Sequence, residues 1–176
     1  MAQSLNLEAV IPLVDAMINK DGKLVCLDGR SCAGKTTIAG QLKEHYGCGV
    51  VHMDDFFLPD DKRTQDCNID FSRLRKQVTK QLYLKNFEYQ GYCCKTATFS
   101  SRRVQTTPFV LIEGCYCLHP DTGLCPDLRL FGDISAHEQK QRLLQRNGEE
   151  GYTRFRDMWL PREEAYFREF GLPGTV

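Results

Sequence analysis

The apolar residues of this chain fall into two rhythms. Four short runs are mostly apolar: Leu24 to Leu27, Val50 to Met53, Phe109 to Ile112, and Asp127 to Phe131 with Asp127 and Arg129 in it. Runs of this length, bounded by glycine or by charged residues, predict buried strands. Between them the spacing turns helical. Leu7, Val10, Ile11, Val14 and Ile18 predict a helix over residues 5–19, which Pro12 either divides or starts. A second helix is expected over about residues 35–46, ending near Gly47 or Gly49. Asp70 or Ser72 can cap a third, with Leu74, Val78 and Leu82 on one face. Ser135 caps a fourth, containing Leu143 and Leu144, and Gly148 to Gly151 reads as a break. A last helix over about residues 152–170 holds Phe155, Trp159, Tyr166 and Phe167; Pro161 kinks or divides it, and Gly171 and Pro173 stop it. Tyr89 to Thr107 shows little helical period and predicts irregular strands or a hairpin bearing Lys95, Arg102 and Arg103.

Buried strands alternating with helices predict an α/β fold with a parallel sheet covered on both faces. Ligands in such folds sit beyond the carboxyl ends of the strands. Those ends fall at Gly29, Asp54, Glu113 and Asp133, which places three carboxylates along one edge of the sheet.

The first strand runs directly into Gly29-Arg30-Ser31-Cys32-Ala33-Gly34-Lys35-Thr36, which fits the phosphate-loop pattern GxxxxGK[ST] at every fixed position. Strand, glycine loop and helix are the context that separates such a loop from a chance match. Glycines let the backbone turn tightly so that successive N–H groups converge on phosphate oxygens, and the helix adds its positive end. Lys35 can reach the terminal phosphates and Thr36 can offer its hydroxyl to Mg²⁺. Gly29, Ser31, Ala33, Gly34, Lys35, Thr36 and Thr37 are therefore the expected nucleotide-binding residues. The fold expectation sharpens to the three-layer sandwich of the P-loop NTPases, with about four to five parallel strands and helices on both faces.

Residues at the ends of the other strands suggest the use of the γ-phosphate. An acceptor hydroxyl needs a carboxylate to orient it and take its proton, and Asp54 is the first choice. Asp55 either faces Mg²⁺-bound water or caps the following turn. Phe56 and Phe57 can each stack on a ring of the acceptor or pack in the core. Glu113, after an apolar strand, can hold Mg²⁺ or bind a substrate hydroxyl. Arg142 and Arg146, four apart on a helix, point the same way and can close over the transferring phosphate; Arg154, Arg156 and Arg162 are weaker candidates for that work.

Composition narrows the partners. The 176 residues, 41% hydrophobic and 26% charged, suit one globular domain spanning 1–176. Lys plus Arg equals Asp plus Glu at 23 each, so no net charge points to nucleic acid or a membrane surface. No apolar run reaches the roughly 20 residues of a membrane span. The first residues lack a basic stretch and carry Glu8 and Asp15, a poor signal peptide. Nine cysteines with no paired CxxC fit reduced thiols and a cytoplasmic location. Cys32 lies inside the phosphate loop.

GRSCAGKTT, MDDFF, the strand FVLIEGCY, and QRLLQRN followed by MWLPREEAYF together resemble the uridine kinase-like branch of the small phosphate-loop kinases, which includes nicotinamide riboside kinases. The resemblance runs from about residue 24 to 170. It implies ATP and Mg²⁺, a base role for Asp54, a Mg²⁺ or substrate-hydroxyl role for Glu113, and lid arginines at Arg142 and Arg146. It also implies an acceptor lid over about residues 57–107, with Phe57 at the substrate, and a phosphate lid over about residues 142–156. The expected activity is ATP-dependent phosphoryl transfer to a hydroxyl of a small molecule, most readily a nucleoside, otherwise a vitamin precursor or sugar. A small-molecule acceptor is the expected partner, with a homo-oligomer allowed for. An NTP-binding switch without an acceptor is the competing class, and no NKxD guanine signature supports its GTPase form.

Overall fold

The computed structural model describes residues 5–63 and 68–172. Part of the loop expected after Phe57, with Cys67, and the stop at Pro173 fall outside the described residues.

Four parallel strands form the central sheet: β1 (Leu24–Gly29), β2 (Gly49–His52), β5 (Val110–Glu113) and β6 (Leu128–Gly132), in spatial order β2-β5-β1-β6. β1 sits inside, with Leu27 beside Glu113 on β5 and Gly29 beside Gly132 on β6. All six residues of β1 are buried, as expected for a strand covered on both faces. Strand alternation divides its side chains between two cores. Val25 and Leu27 join Leu111 under α1 (Leu7–Ile18) and α2 (Lys35–Tyr46), against Val10, Val14, Ile38 and Leu42. Leu24 and Cys26 join Val51, Val110 and Ile112 on the opposite face, against Phe56, Leu74 and Val78. Leu74 belongs to α3 (Phe71–Gln77), capped by Asp70, whose side chain accepts from Arg73 N at 2.9 Å.

Three local expectations are decided by the fold. Pro12 neither starts nor divides α1, which is one helix capped by Asn6. The missing N–H would have met the Glu8 carbonyl, and both residues are exposed, so water can serve that carbonyl. Residues 86–105 form a regular antiparallel hairpin, β3 (Asn86–Cys93) and β4 (Thr98–Gln105). Phe87 and Tyr89 point into the core while Glu88 and Gln90 face solvent, a period of two that Tyr, Gln and Gly obscure in the sequence. The break expected from Gly148 is present: α4, Ala136–Arg154, is two helical stretches meeting in a kink at Gly148, whose φ of 69° and ψ of −178° are non-helical and favour glycine. It passes through a π-helical turn, Phe155–Trp159, into α5 (Leu160–Glu169), with Pro161 harmless in the first turn.

Candidate active site

The carboxyl ends of β1, β2 and β5 open into one cleft of about 570 Å³. Its floor is the phosphate loop. Gly29 must be glycine twice over: its φ is 130°, and a Cβ would stand 2.1 Å from the Gly132 carbonyl oxygen. Gly34, the N-cap of α2, has φ 89° and open space where a Cβ would point. Cys32 adopts φ 65° without being glycine. Its carbonyl accepts from Arg142 Nη1 at 3.0 Å, and burial pushes its thiol up. Lys35 is buried and donates Nζ to the carbonyls of Gly29 (2.7 Å) and Arg30 (2.8 Å), so its ammonium lies over the loop.

Above the loop stand the carboxylates. The chain leaves β2 in a 3-10 turn, Met53–Phe56, which buries Met53 and Phe56 and sends Asp54 into the cleft. The Asp54 carboxyl is open to the cleft but has protein on its other sides. That burial, then the negative charge of Glu113, raises it above the usual carboxylate range, with Lys35, His52 and Arg146 acting the other way. Glu113 is almost fully buried, and its Oε1 takes Thr36 Oγ1 at 3.1 Å and His52 Nδ1 at 2.6 Å. The same hydrogen bond, with desolvation opposing, raises the pKa of His52. No group of three or more His, Cys, Asp or Glu that could hold a metal exists among the described residues. Magnesium does not ask for one: it typically takes one or two protein oxygens with substrate phosphates and water. Thr36 and Glu113 fit that description.

Arg142 and Arg146 reach the cleft from α4. Arg142 also pairs with Glu138 at 2.5 Å, and Arg146 lies 5.4 Å from the centre of the Phe155 ring. The other arginines go elsewhere. Arg154 pairs with Glu150 and Arg156 with Asp157 at the surface, because their helix positions face away, and Arg162 donates to Asn68 at 2.7 Å. Asp133 stays beside the loop, 2.8 Å from Arg30 Nε.

The phenylalanines divide. Phe56 is completely buried and stacked on Tyr89, so its stacking on an acceptor is ruled out. Phe57 lines the cleft. Asp55 neither faces the loop nor caps a turn: its carboxylate accepts from Tyr89 Oη at 2.7 Å and lies 3.7 Å from Arg102, tying the turn to the hairpin. Gly91 makes that possible, since a Cβ there would stand 2.9 Å from the Asp55 carboxyl.

Several site residues escape a reading of the sequence alone. Tyr116, Phe155 and Trp159 join Phe57 along the walls of the cleft. Asp28, fully buried before the loop, accepts from Gly29 N (2.7 Å), Leu118 N (2.9 Å) and Tyr166 Oη (2.7 Å). Burial raises its pKa. A charged residue ending an otherwise apolar run was its signal, and His52 in Val50-Val51-His52-Met53 offered the same one. Glu163, buried against the loop, lies in the MWLPREEAYF segment, but nothing there marked it as a site residue.

No protein-family profile and no curated protein matches the chain. Solved structures do. A protein from Bacillus stearothermophilus described as a possible uridine kinase superposes with a TM-score of 0.65 at 21% identity, over 91% of this chain and 92% of its own. A protein from Silicibacter sp. TM1040, described provisionally as a fructose transport system kinase, gives 0.73 at 19% identity, over 92% and 95%. The protein YGR205w gives 0.53 at 14%, over 90% and 83%. Likeness at these identities is likeness of fold: the chain shares with these structures an α/β fold, a parallel four-stranded sheet flanked by helices. No helix among the described residues is long and apolar enough to cross a membrane.

Proposed function

We propose that the protein is an ATP-dependent small-molecule kinase that phosphorylates a hydroxyl of a nucleoside or a similar ring-bearing polyol. One observation carries the reading. Lys35, Thr36, Asp54, Glu113, Arg142 and Arg146 all line a single cleft, and Phe57, Tyr116, Phe155 and Trp159 line it too. The first set suits phosphoryl transfer, and the aromatic set suits a flat acceptor ring. A neighbouring cavity of about 700 Å³ shares Ala33, Gly34, Thr37 and Arg142 with the cleft and suits the donor base.

In this reading the N–H groups of the phosphate loop and the first turn of α2 receive the β- and γ-phosphates. Lys35 exchanges its two loop carbonyls for phosphate oxygens. Thr36 and Glu113 would hold Mg²⁺, which would supply positive charge to offset that of the phosphates. The Asp54 carboxylate accepts the proton of the acceptor hydroxyl while that oxygen bonds to the γ-phosphorus. The bond from phosphorus to the β,γ-bridging oxygen breaks, and its electron pair leaves with ADP. Arg142 and Arg146 offset the charge on the phosphoryl group in flight.

The test is ADP release from Mg²⁺-ATP across uridine, cytidine, nicotinamide riboside, pantothenate and simple sugars. The expected result is stimulation by one ring-bearing acceptor, lost in Asp54→Asn. Slow ATP loss that no acceptor stimulates, unchanged in Asp54→Asn, would instead mark an NTP-binding regulator.

A further inference from the structure

The phosphate loop is held from a side that the kinase reading leaves unused. α5 lies against residues 28–31. The Glu163 carboxylate accepts from both donors of Ser31: Oε2 from the backbone N–H at 3.1 Å, and Oε1 from the hydroxyl in a short contact. Glu164 pairs with Arg30, the Phe167 ring lies under the Arg30 guanidinium at 5.5 Å, and Tyr166 donates to Asp28. α4 contributes Gln139, whose Nε2 donates to the Ser31 carbonyl at 3.0 Å.

This arrangement has a chemical oddity. Glu163 is 5% exposed, lines the same cleft as Lys35, and places a carboxylate where polyphosphate is to be received. Its charge opposes the ligand, so packing alone does not explain it. A carboxylate offers two acceptor oxygens and no donor, which is what an N–H and an O–H on one residue require. A glutamine would present an NH₂ to one of them. Burial raises the pKa of Glu163, and the two Ser31 hydrogen bonds oppose that rise.

Glu163 also shares its helical run with the aromatic wall. Phe155, Trp159 and Glu163 are spaced by four residues through the π-helical turn into α5, and all three line the cleft. One face of one helix therefore meets the acceptor with two rings and the donor loop with a carboxylate.

We propose that Glu163 is a positioning residue for the phosphate loop: by taking both donors of Ser31 it fixes the first half of the loop, so that the N–H groups from Cys32 to Thr36 stand ready for the nucleotide. The inference rests on the nucleotide-binding reading of the cleft. It makes Ser31 a residue that shapes the loop through Glu163 and gives up its own donors to do so.

The test is calorimetric binding of the Mg²⁺ complex of a non-hydrolysable ATP analogue, and of Mg²⁺-tripolyphosphate, to the wild type, Ser31→Ala, Glu163→Gln and the double variant. Melting temperatures are recorded alongside, and all binding is measured well below them. Each single variant is expected to weaken both ligands about tenfold, and the double variant about tenfold as well, because the two residues act as one unit. A merely structural Glu163 would lower the melting temperature and leave both affinities within about twofold of wild type, which overturns the inference. Hundredfold weakening in the double variant, or weakening of the ATP analogue but not of tripolyphosphate, overturns it too. Should Glu163→Gln fail to fold, Ser31→Ala decides alone, since it removes only a hydroxyl from a half-exposed loop residue. Failure of the wild type to bind either ligand overturns the nucleotide reading and this inference together, whereas normal binding by the variants overturns this inference alone.

Discussion

The two ends of the cleft are built on different principles. In the proposed kinase reading the donor end is main chain: β1, the loop and the first turn of α2 present backbone N–H groups, and the side chains around them serve to hold the loop still. Asp28 collects the backbone N–H groups of Gly29, Tyr116 and Leu118 and the Tyr166 hydroxyl beneath it, and Glu163 takes both donors of Ser31. The acceptor end is side chain, contributed by a 3-10 turn, a loop, the segment after β5 and a π-helical turn. β4 behind it is exposed along almost its whole length, with Phe99 51% exposed. A polyphosphate is the same in every nucleotide and can be met by a fixed cradle. An acceptor differs from enzyme to enzyme, and interchangeable side chains on loops can follow it without disturbing the sheet.

This contrast can be broken in four ways. The largest effect belongs to Asp54, where the ends meet. Asp54→Asn is expected to lower kcat about 10² to 10⁴-fold, the range for losing a general base. It is not expected to lower Tm. The folded protein raises the pKa of Asp54, so folding disfavours the ionised form; its stability contribution improves as pH falls through the raised pKa, and an uncharged residue at neutral pH relieves that cost. A lowered Tm measured by calorimetry at pH 7 would contradict this.

Next come the adjacent phenylalanines. Phe56→Ala empties a fully buried site and should cost about 3–5 kcal/mol by urea denaturation. Phe57→Ala should cost under about 1 kcal/mol and act instead on the acceptor KM. Equal losses of stability would mean that Phe57 is core rather than cleft wall.

Trp159→Ala is expected to raise the acceptor KM about tenfold while leaving the affinity for Mg²⁺-ATP within about twofold, as removal of one stacking ring implies. Steady-state kinetics with each substrate varied in turn measure this, and a matching loss on the ATP side would erase the division between the ends.

The smallest effect is on pH dependence. Because only ionised Asp54 accepts a proton, kcat/KM should fall on acidification through its raised pKa. The acid limb then lies above the roughly pH 4 of an ordinary aspartate. A rate profile that stays flat down to pH 4 would remove Asp54 as the base.

Much of the donor end was legible in the sequence, because backbone geometry restricts the residues that can form it. Gly29 and Gly34 have φ values that favour glycine, and the order of strand, loop and helix follows from local periodicity. The sheet was legible for the same reason: runs such as Phe109 to Ile112 are apolar on both faces only if layers cover both. The acceptor end was legible only in part. Asp54 and Phe57 could be named from where β2 ends, but nothing local distinguishes Phe57 in the cleft from Phe56 in the core. That difference is one residue of a 3-10 turn, decided by the space beneath Tyr89. The hairpin was legible only as one of two readings, because polar Thr, Ser, Arg and Gln fill its exposed strand.

By itself, then, the sequence determined the parallel α/β sheet, the phosphate loop with Lys35 and Thr36, and the carboxylates Asp54 and Glu113 at the strand ends. These depend on periodicities and backbone constraints that act within a few residues. Only the tertiary structure decided that Glu163 meets Ser31 across 132 positions, that Tyr166 meets Asp28 across 138, and that His52 meets Glu113 across 61. Such pairs hold together because burial makes an unpartnered polar group costly, and that penalty exists only once the chain has closed around them.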